Sequence, residues 1–169
     1  MTGPLLVRKA RRADREGALA LWRLLQDEHE AKDPRYRISE DAASRWATDF
    51  RDWTRSHSSS VWVAEADDRL VGLLTAHLAE PAPVYRGRPF VFVGEIIVAE
   101  DWRGRGVARR LLDAAREWGR QVGATELRAG VLATNPAGRR FWEQQGARDF
   151  SVTVTLPLEE VGRTADTSG

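Results

Sequence analysis

Residues 95–108 read Glu-Ile-Ile-Val-Ala-Glu-Asp-Trp-Arg-Gly-Arg-Gly-Val-Ala. The stretch runs from the end of an apolar strand, residues 90–98, through a short polar turn and into a helix. That junction decides the fold. Where a strand feeds a helix through glycines, several backbone N–H groups can aim at one point, and the helix dipole favours an anion there. Gly104 and Gly106 let the backbone approach a phosphate with no Cβ in the way. Arg103 and Arg105 add positive charge. The local physics is that of a pyrophosphate site. An Arg-Gly-Arg-Gly string alone also fits a solvated turn or an RNA-binding Arg-Gly segment. Segments of the latter kind are repeated and disordered, whereas this one is single and framed by periodic elements. A Rossmann site needs G-x-G-x-x-G, which is absent.

Outward from this junction the elements alternate. After it, Val107, Ala108, Leu111, Leu112, Ala115, Trp118 and Val122 share one helical face, and Arg109, Arg110, Asp113, Arg116 and Arg120 lie elsewhere. Leu127, Ala129 and Val131 alternate as a strand. Asn135-Pro136 reads as an N-cap with proline at the first helical position, opening a helix to about Gln145. Phe150, Val152, Val154 and Leu156 alternate as a last strand. Before the junction, residues 5–9 read as a strand and residues 14–30 as a helix. Ser39 reads as the N-cap of a second helix with Ala42, Ala43, Trp46, Phe50 and Trp53 on one face. Val61, Val63 and residues 70–78 form two strands about a tight turn at Asp67-Asp68. Residues 80–89 hold three prolines and Gly87, a loop. Residues 159–169 read as a polar, frayed tail.

Composition narrows the function classes. A chain of 169 residues fits one domain with a sizeable core. The net charge of +1 gives no pull toward nucleic acid or anionic membranes. There is no cysteine, which excludes disulfides, thiolate catalysis and cysteine-bound zinc. His29, His57 and His77 show no ligand spacing, so no metal is expected. No apolar run approaches the roughly 20 residues of a membrane span, and Arg8, Lys9, Arg11 and Arg12 interrupt any signal-peptide core. The expectation is a soluble cytoplasmic protein without nucleic-acid or membrane partners.

Arg103-x-x-Gly106-x-Ala108 resembles the R/Q-x-x-G-x-G/A acetyl-CoA motif of the GCN5-related N-acetyltransferase (GNAT) superfamily. Downstream, Asn135-Pro-Ala-Gly-Arg-Arg-Phe-Trp-Glu-Gln-Gln-Gly146 resembles the family's N-x-x-A-x-x-F-Y-E-x-x-G-F segment. The close resemblance covers roughly residues 93–147. It implies an α/β fold, a single GNAT-type domain over residues 1–158. The central mixed, mostly antiparallel sheet would have splayed fourth and fifth strands and flanking helices. The splayed strands would be residues 91–98 and 126–132, with pantetheine in the gap. Backbone groups of Ile97 and Val98 would pair with it like another strand. Arg103, Gly104, Arg105, Gly106, Val107 and Ala108 would hold the pyrophosphate, and Asn135 would approach the pantetheine arm. A backbone N–H near Ile97 would stabilise the oxyanion of the tetrahedral intermediate. Homodimers are common in the family.

The implied reaction is direct attack of an amine on the acetyl-CoA thioester. An alkylammonium has a pKa of about 10.4, so something must accept its proton. Glu95 is the candidate base. Strand alternation sets it with Val91, Val93 and Ile97 as the one charge in an apolar strand, where desolvation raises a carboxyl pKa. The competing structural reading is an ion pair with Arg86 or Arg88. One departure stands out: Trp142 occupies the place where the family often has a tyrosine as general acid, and indole does not ionise usefully. CoA thiolate leaving unaided is the favoured solution, and a hydroxyl from Tyr36, Tyr85 or Ser151 is another. The acidic residues Asp27, Glu28, Glu30 and Asp33 either attract a polycationic amine or form a solvated helix end. The reading is an acetyl-CoA-dependent N-acetyltransferase acting on a primary amine of a small molecule or peptide. The alternatives are a non-catalytic acyl-CoA-binding or sensing module and a protein N-terminal or lysine acetyltransferase.

Overall fold

The computed structural model describes residues 4–158, so the expected tail at 159–169 lies outside the described residues. Five strands lie in chain order across one sheet: β1 Leu6–Lys9, β2 Ser59–Ala66, β3 Arg69–Ala79, β4 Phe90–Val98 and β5 Leu127–Ala129. β1 to β4 pair antiparallel and β4 with β5 pairs parallel. The helices are α1 Arg15–Lys32, α2 Ala42–Trp53, α3 Val107–Gln121 and α4 Pro136–Gln144. The parallel step β4–α3–β5 needs a crossover helix, and α3 supplies it.

α3 lies on one sheet face. Its Val107, Leu111, Leu112, Ala115 and Trp118 are buried as their spacing predicts. The approach is close: a Cβ on Gly72 of β3 would come within 2.9 Å of Leu111 Cδ1, and one on Gly119 within 3.3 Å of Val91 Cγ2. α1 and α2 cover the opposite face. Trp22 of α1 stacks on Trp46 of α2 with ring centres 5.5 Å apart, and Phe50 and Trp53 extend this aromatic layer. The hairpin between β2 and β3 closes through Asp67 and Asp68, both left-handed at φ 50° and 57°, as a two-residue turn of matching twist demands.

Three expectations need correction. Asp41, not Ser39, precedes α2, and the Ser39 hydroxyl instead donates to Asp41 Oδ1 at 2.7 Å. Residues 150–156 form no strand with the described chain. Their alternation is real, but Phe150, Val152, Val154 and Leu156 are 72–85% exposed. The last correction concerns β4, whose register with β3 shifts between Thr75 and Ala76. Thr75 faces Glu95 and Ala76 faces Val93, leaving Gly94 as an extra residue. This bulge turns the strand over. Val91 and Val93 face α3, while Glu95 and Ile97 face α1 and α2. Strict alternation had placed all four together. An isolated glycine inside a strand is a known bulge signal, and a Cβ on Gly94 would come within 2.9 Å of Thr75 Oγ1.

Candidate active site

β4 and β5 pair only from Val91–Leu127 to Val93–Ala129, so beyond Gly94 the outer edge of β4 has no strand beside it among the described residues. The parity of that open edge is fixed. Ala99 N–H donates to the Val71 carbonyl at 2.9 Å. Ile97, two residues back and opposite Leu73, therefore also turns its backbone polar groups to β3. Ile96 and Val98 turn theirs into the gap. Sequence reasoning named Ile97 and Val98, and the ladder directs only Val98 outward, with Ile96 in place of Ile97.

At the end of this gap the chain makes its glycine turn. Gly104 and Gly106 adopt φ 72° and 76°, and nothing lies within 4 Å of where a Cβ on either would stand. Gly106 precedes α3 without any side-chain cap, and the first intrahelical bond is Arg110 N–H to the Gly106 carbonyl at 3.1 Å. The N–H groups of Val107, Ala108 and Arg109 thus precede the helical ladder and point along its axis, a ready anion cradle. The two arginines are held differently. Arg105 stacks on the ring of buried Trp102 at 4.9 Å. Arg103 donates Nε–H to the Val98 carbonyl at 3.1 Å and its guanidinium bonds Glu28 of α1. Arg103 therefore ties the turn to the strand edge and to α1.

On the other sheet face Glu95 sits under the aromatic layer. Thr75, fully buried, donates its hydroxyl to Glu95 Oε2 and accepts Glu95 N–H at 3.0 Å. Trp46 Nε1–H donates to Oε1 at 3.2 Å. Burial pushes the Glu95 carboxyl above its ordinary pKa. The donors Thr75, Trp46 and Trp22 pull the other way, and the charge of Asp49 adds to the rise. Each carboxylate oxygen keeps a lone pair beyond these bonds, so the group can take a proton. Glu95 makes no ion pair with Arg86 or Arg88 among the described residues. Thr75 and Trp46 as its partners escaped sequence reasoning. Thr75 was visible as the one hydroxyl in the apolar run 70–76, but its partner depends on the register of β3 with β4.

His77 lies on the same face. Its Nδ1 meets Ser59 Oγ at 3.0 Å, its ring sits edge-on to Trp53 at 4.8 Å, and burial lowers its pKa. Asn135 caps α4, its Oδ1 accepting Gly138 N–H at 3.1 Å. Trp142 packs edge-on to Phe141 at 5.4 Å against the core. Tyr85 and Ser151 are exposed, and Tyr36 sits edge-on to His29 at 5.8 Å. The acidic residues at the end of α1 are largely neutralised: Glu28 by Arg103 and Lys32, Glu30 by Arg37, Asp33 by Arg35. That removes most of the field expected to draw a polycation. No group of residues fit to hold a metal occurs among the described residues, and no helix is long and apolar enough to cross a membrane.

The profile of the Acetyltransferase (GNAT) family matches residues 18–147, most of the chain and all of this site. The chain belongs to the GNAT acetyltransferase family. It is an N-acetyltransferase that uses acetyl-CoA. Among GNAT relatives, the L-2,4-diaminobutyric acid acetyltransferase of Nocardia farcinica is 28% identical over 145 residues, covering 86% of this chain and 67% of that protein. The uncharacterized N-acetyltransferase YycN of Bacillus subtilis is 28% identical over 99 residues, covering 58% of this chain and 61% of that one. The GNAT fold recurs in a tetramutant of the BH1408 protein from Bacillus halodurans, with TM-score 0.79, 21% identity and 90% and 99% of the two chains covered. The aminoglycoside N-acetyltransferase AAC(6')-Iy in complex with CoA aligns with TM-score 0.73, 18% identity and coverage of 92% and 95%.

Proposed function

We propose that this GNAT enzyme acetylates a primary amine of a small molecule, with Glu95 accepting the amine's proton. The observation that carries the reading is a desolvated carboxylate on β4 at the point where β4 and β5 part. The open edge and the glycine turn lie on the same strand and its continuation. Small amines are the acceptors named for two of the relatives, a diaminobutyrate enzyme and an aminoglycoside enzyme. That supports a small molecule over a protein acceptor.

The residues fit acetyl-CoA. The bare space over Gly104 and Gly106 and the N–H groups of Val107 and Ala108 suit the pyrophosphate. The outward backbone groups of Ile96 and Val98 suit a pantetheine arm lying as an extra strand. Bound acetyl-CoA supplies the acetyl group as a thioester. Glu95 removes a proton from the ammonium, directly or through one water, so that nitrogen presents a lone pair. An N–H on the open edge of β4 faces the charge that builds on the carbonyl oxygen. Asn135 keeps one amide N–H pair for the arm while its oxygen caps α4. Trp142 offers no proton, so the thiolate departs without a protein acid; a thiol pKa near about 8.5 permits this.

The test is thiol release from acetyl-CoA against a panel of diamino acids, polyamines, aminoglycosides and N-terminal peptides. We expect release with a small amine. Glu95→Gln should lose about 10²–10⁴-fold in kcat with acetyl-CoA binding intact. Gly106→Asp should lose acetyl-CoA binding, because it sets a negative charge in the anion cradle and a side chain on a left-handed backbone at φ 76°; its far-ultraviolet spectrum checks that the fold survives. Unchanged turnover in Glu95→Gln would remove Glu95 from the role. Release with peptides alone would overturn the small-molecule acceptor.

A further inference from the structure

Phe92 has β3 on one side and β5 on the other, yet 41% of it is exposed. A large apolar side chain on an interior strand is normally covered by the next layer of the fold. Here the cover stops short. Back along β4 from buried Ile97, Glu95 is partly covered by α1 and α2, and Gly94 and Phe92 lie open. The bulge keeps them on one face. A Cβ on Gly94 would come within 2.9 Å of Thr75 Oγ1 and 3.3 Å of His77 Nε2, so Gly94 is bare on the side where those two stand. Phe92 is the ladder partner of His77 and shares that face.

Rings line this bare strip. Trp53 of α2 meets Trp46, the donor to Glu95, at 6.2 Å and His77 at 4.8 Å. Trp46, Trp53, His77 and Phe92 therefore lead in order away from the carboxylate. Burial lowers the His77 pKa, which keeps its ring neutral at pH 7. Arg128 of β5 stands opposite Phe92, but its guanidinium is taken up by Glu126 and by the rings of Phe90 and Phe150. The charge of Asp49 on α2 acts on both Glu95 and His77 and adds to the attraction for one ammonium.

We infer that this strip is the acceptor floor and that the acceptor is an arylalkylamine, a primary amine joined by a short chain to an aromatic ring, with Phe92 selecting the ring. The inference rests on Glu95 receiving the amine. Thr75, beside Glu95, and His77, beside Phe92, are two residues apart along β3, a separation of about 7 Å. An amine at the carboxylate thus sets what it carries, a few carbons on, over Phe92. A floor of neutral rings holds a flat apolar group by burying its area and by offset or edge-on stacking. A sugar ring there would shed water and find few hydrogen-bonding partners. Rings also attract a second ammonium, so a diamine forms the opposing arm of the test.

The test compares kcat/KM, by thiol release from acetyl-CoA, for phenethylamine and tryptamine against butylamine and putrescine. Wild type should favour the ring-bearing amines over butylamine by about tenfold or more, mainly through KM. Phe92→Leu keeps the strand apolar and should bring that ratio close to unity, whereas Phe92→Tyr keeps the ring and should retain it. The exposure of Phe92 spares the core in both variants, and the wild-type ratio stands by itself if either misfolds. Equal values for butylamine and the ring-bearing amines would overturn the inference and leave a small-amine acetyltransferase in place. A preference for putrescine that Asp49→Asn abolishes, or a ring preference that Phe92→Leu leaves intact, would also overturn it alone. Turnover of no small amine would remove the underlying reading together with it.

Discussion

Glu95 is a carboxylate held among indoles, and its two properties pull in opposite directions. Burial raises its pKa, which makes it a better base and a worse structural residue. A carboxyl whose folded-state pKa is raised costs stability wherever it is ionised. Glu95→Gln should therefore raise the melting temperature at neutral pH, and the gain should shrink as pH falls through the folded-state pKa and wild type protonates. A melting series across pH checks this. The activity profile tests the same residue. As pH falls through the Glu95 pKa the base is lost, so the acid limb of kcat/KM should lie above the ordinary glutamate range. His77 titrates nearby with a lowered pKa and shares the face. A limb that vanishes in Glu95→Gln belongs to Glu95, and one that survives belongs to His77.

α3 and α4 begin in different ways, and the difference separates binding from stability. α3 leaves its N-terminus bare, whereas Asn135 closes that of α4. Asn135 has two ends, an oxygen on Gly138 N–H and an amide nitrogen packed over Gly138, where an added Cβ would come within 2.6 Å. Asn135→Ala should cost about 1 kcal/mol of stability by loss of the cap. Asn135→Asp keeps the accepting oxygen and loses the donor. If the amide meets the pantetheine arm, both variants raise KM for acetyl-CoA, and only the alanine lowers the melting temperature. Equal KM values in all three proteins would leave Asn135 as a cap alone. β4 shows the same division of labour: residues 90–93 hold β5, and residues 95–98 hold the open edge, with the Gly94 bulge between them.

The fold also needs its ends tied together. Arg8 of β1 bonds Asp14 before α1 at 2.7 Å and Glu65 of β2 at 2.8 Å, joining strand, helix entry and neighbouring strand. Arg8 holds the Asp14 carboxyl below its ordinary range, against the opposing effect of burial. A depressed carboxyl contributes stability above its unfolded pKa and loses it as pH falls through the folded one. Asp14→Asn should therefore melt several degrees lower at neutral pH, on the scale of about 1.5–3 kcal/mol for hydrogen bonds between charged groups. The difference should close toward the acid side, below about pH 4, the ordinary aspartate range.

Much of this was legible because it is local. The face of α3, the glycine turn before it, the Asn135 cap and the Asp67-Asp68 hairpin depend on residues within one or two turns of chain, and each stands where its spacing placed it. The order of strands followed from the two motifs and the alternation between them. Other features depend on partners far away in sequence. Thr75 meets Glu95 across the β3–β4 ladder beside the Gly94 bulge, and the bulge exchanges the faces that alternation had assigned. Glu28 takes up Arg103 from 75 residues away, which no helix pattern announces. Residues 150–156 have a strand's periodicity in the sequence yet form no strand with the described chain, because periodicity states only which face calls for cover. By itself the sequence determined most of the elements, the glycine turn before α3 and the family. Tertiary structure alone decided which backbone groups open into the gap, what surrounds the base, and that residues 150–156 do not join the sheet among the described residues, because register and burial are set by contacts the chain makes only once folded.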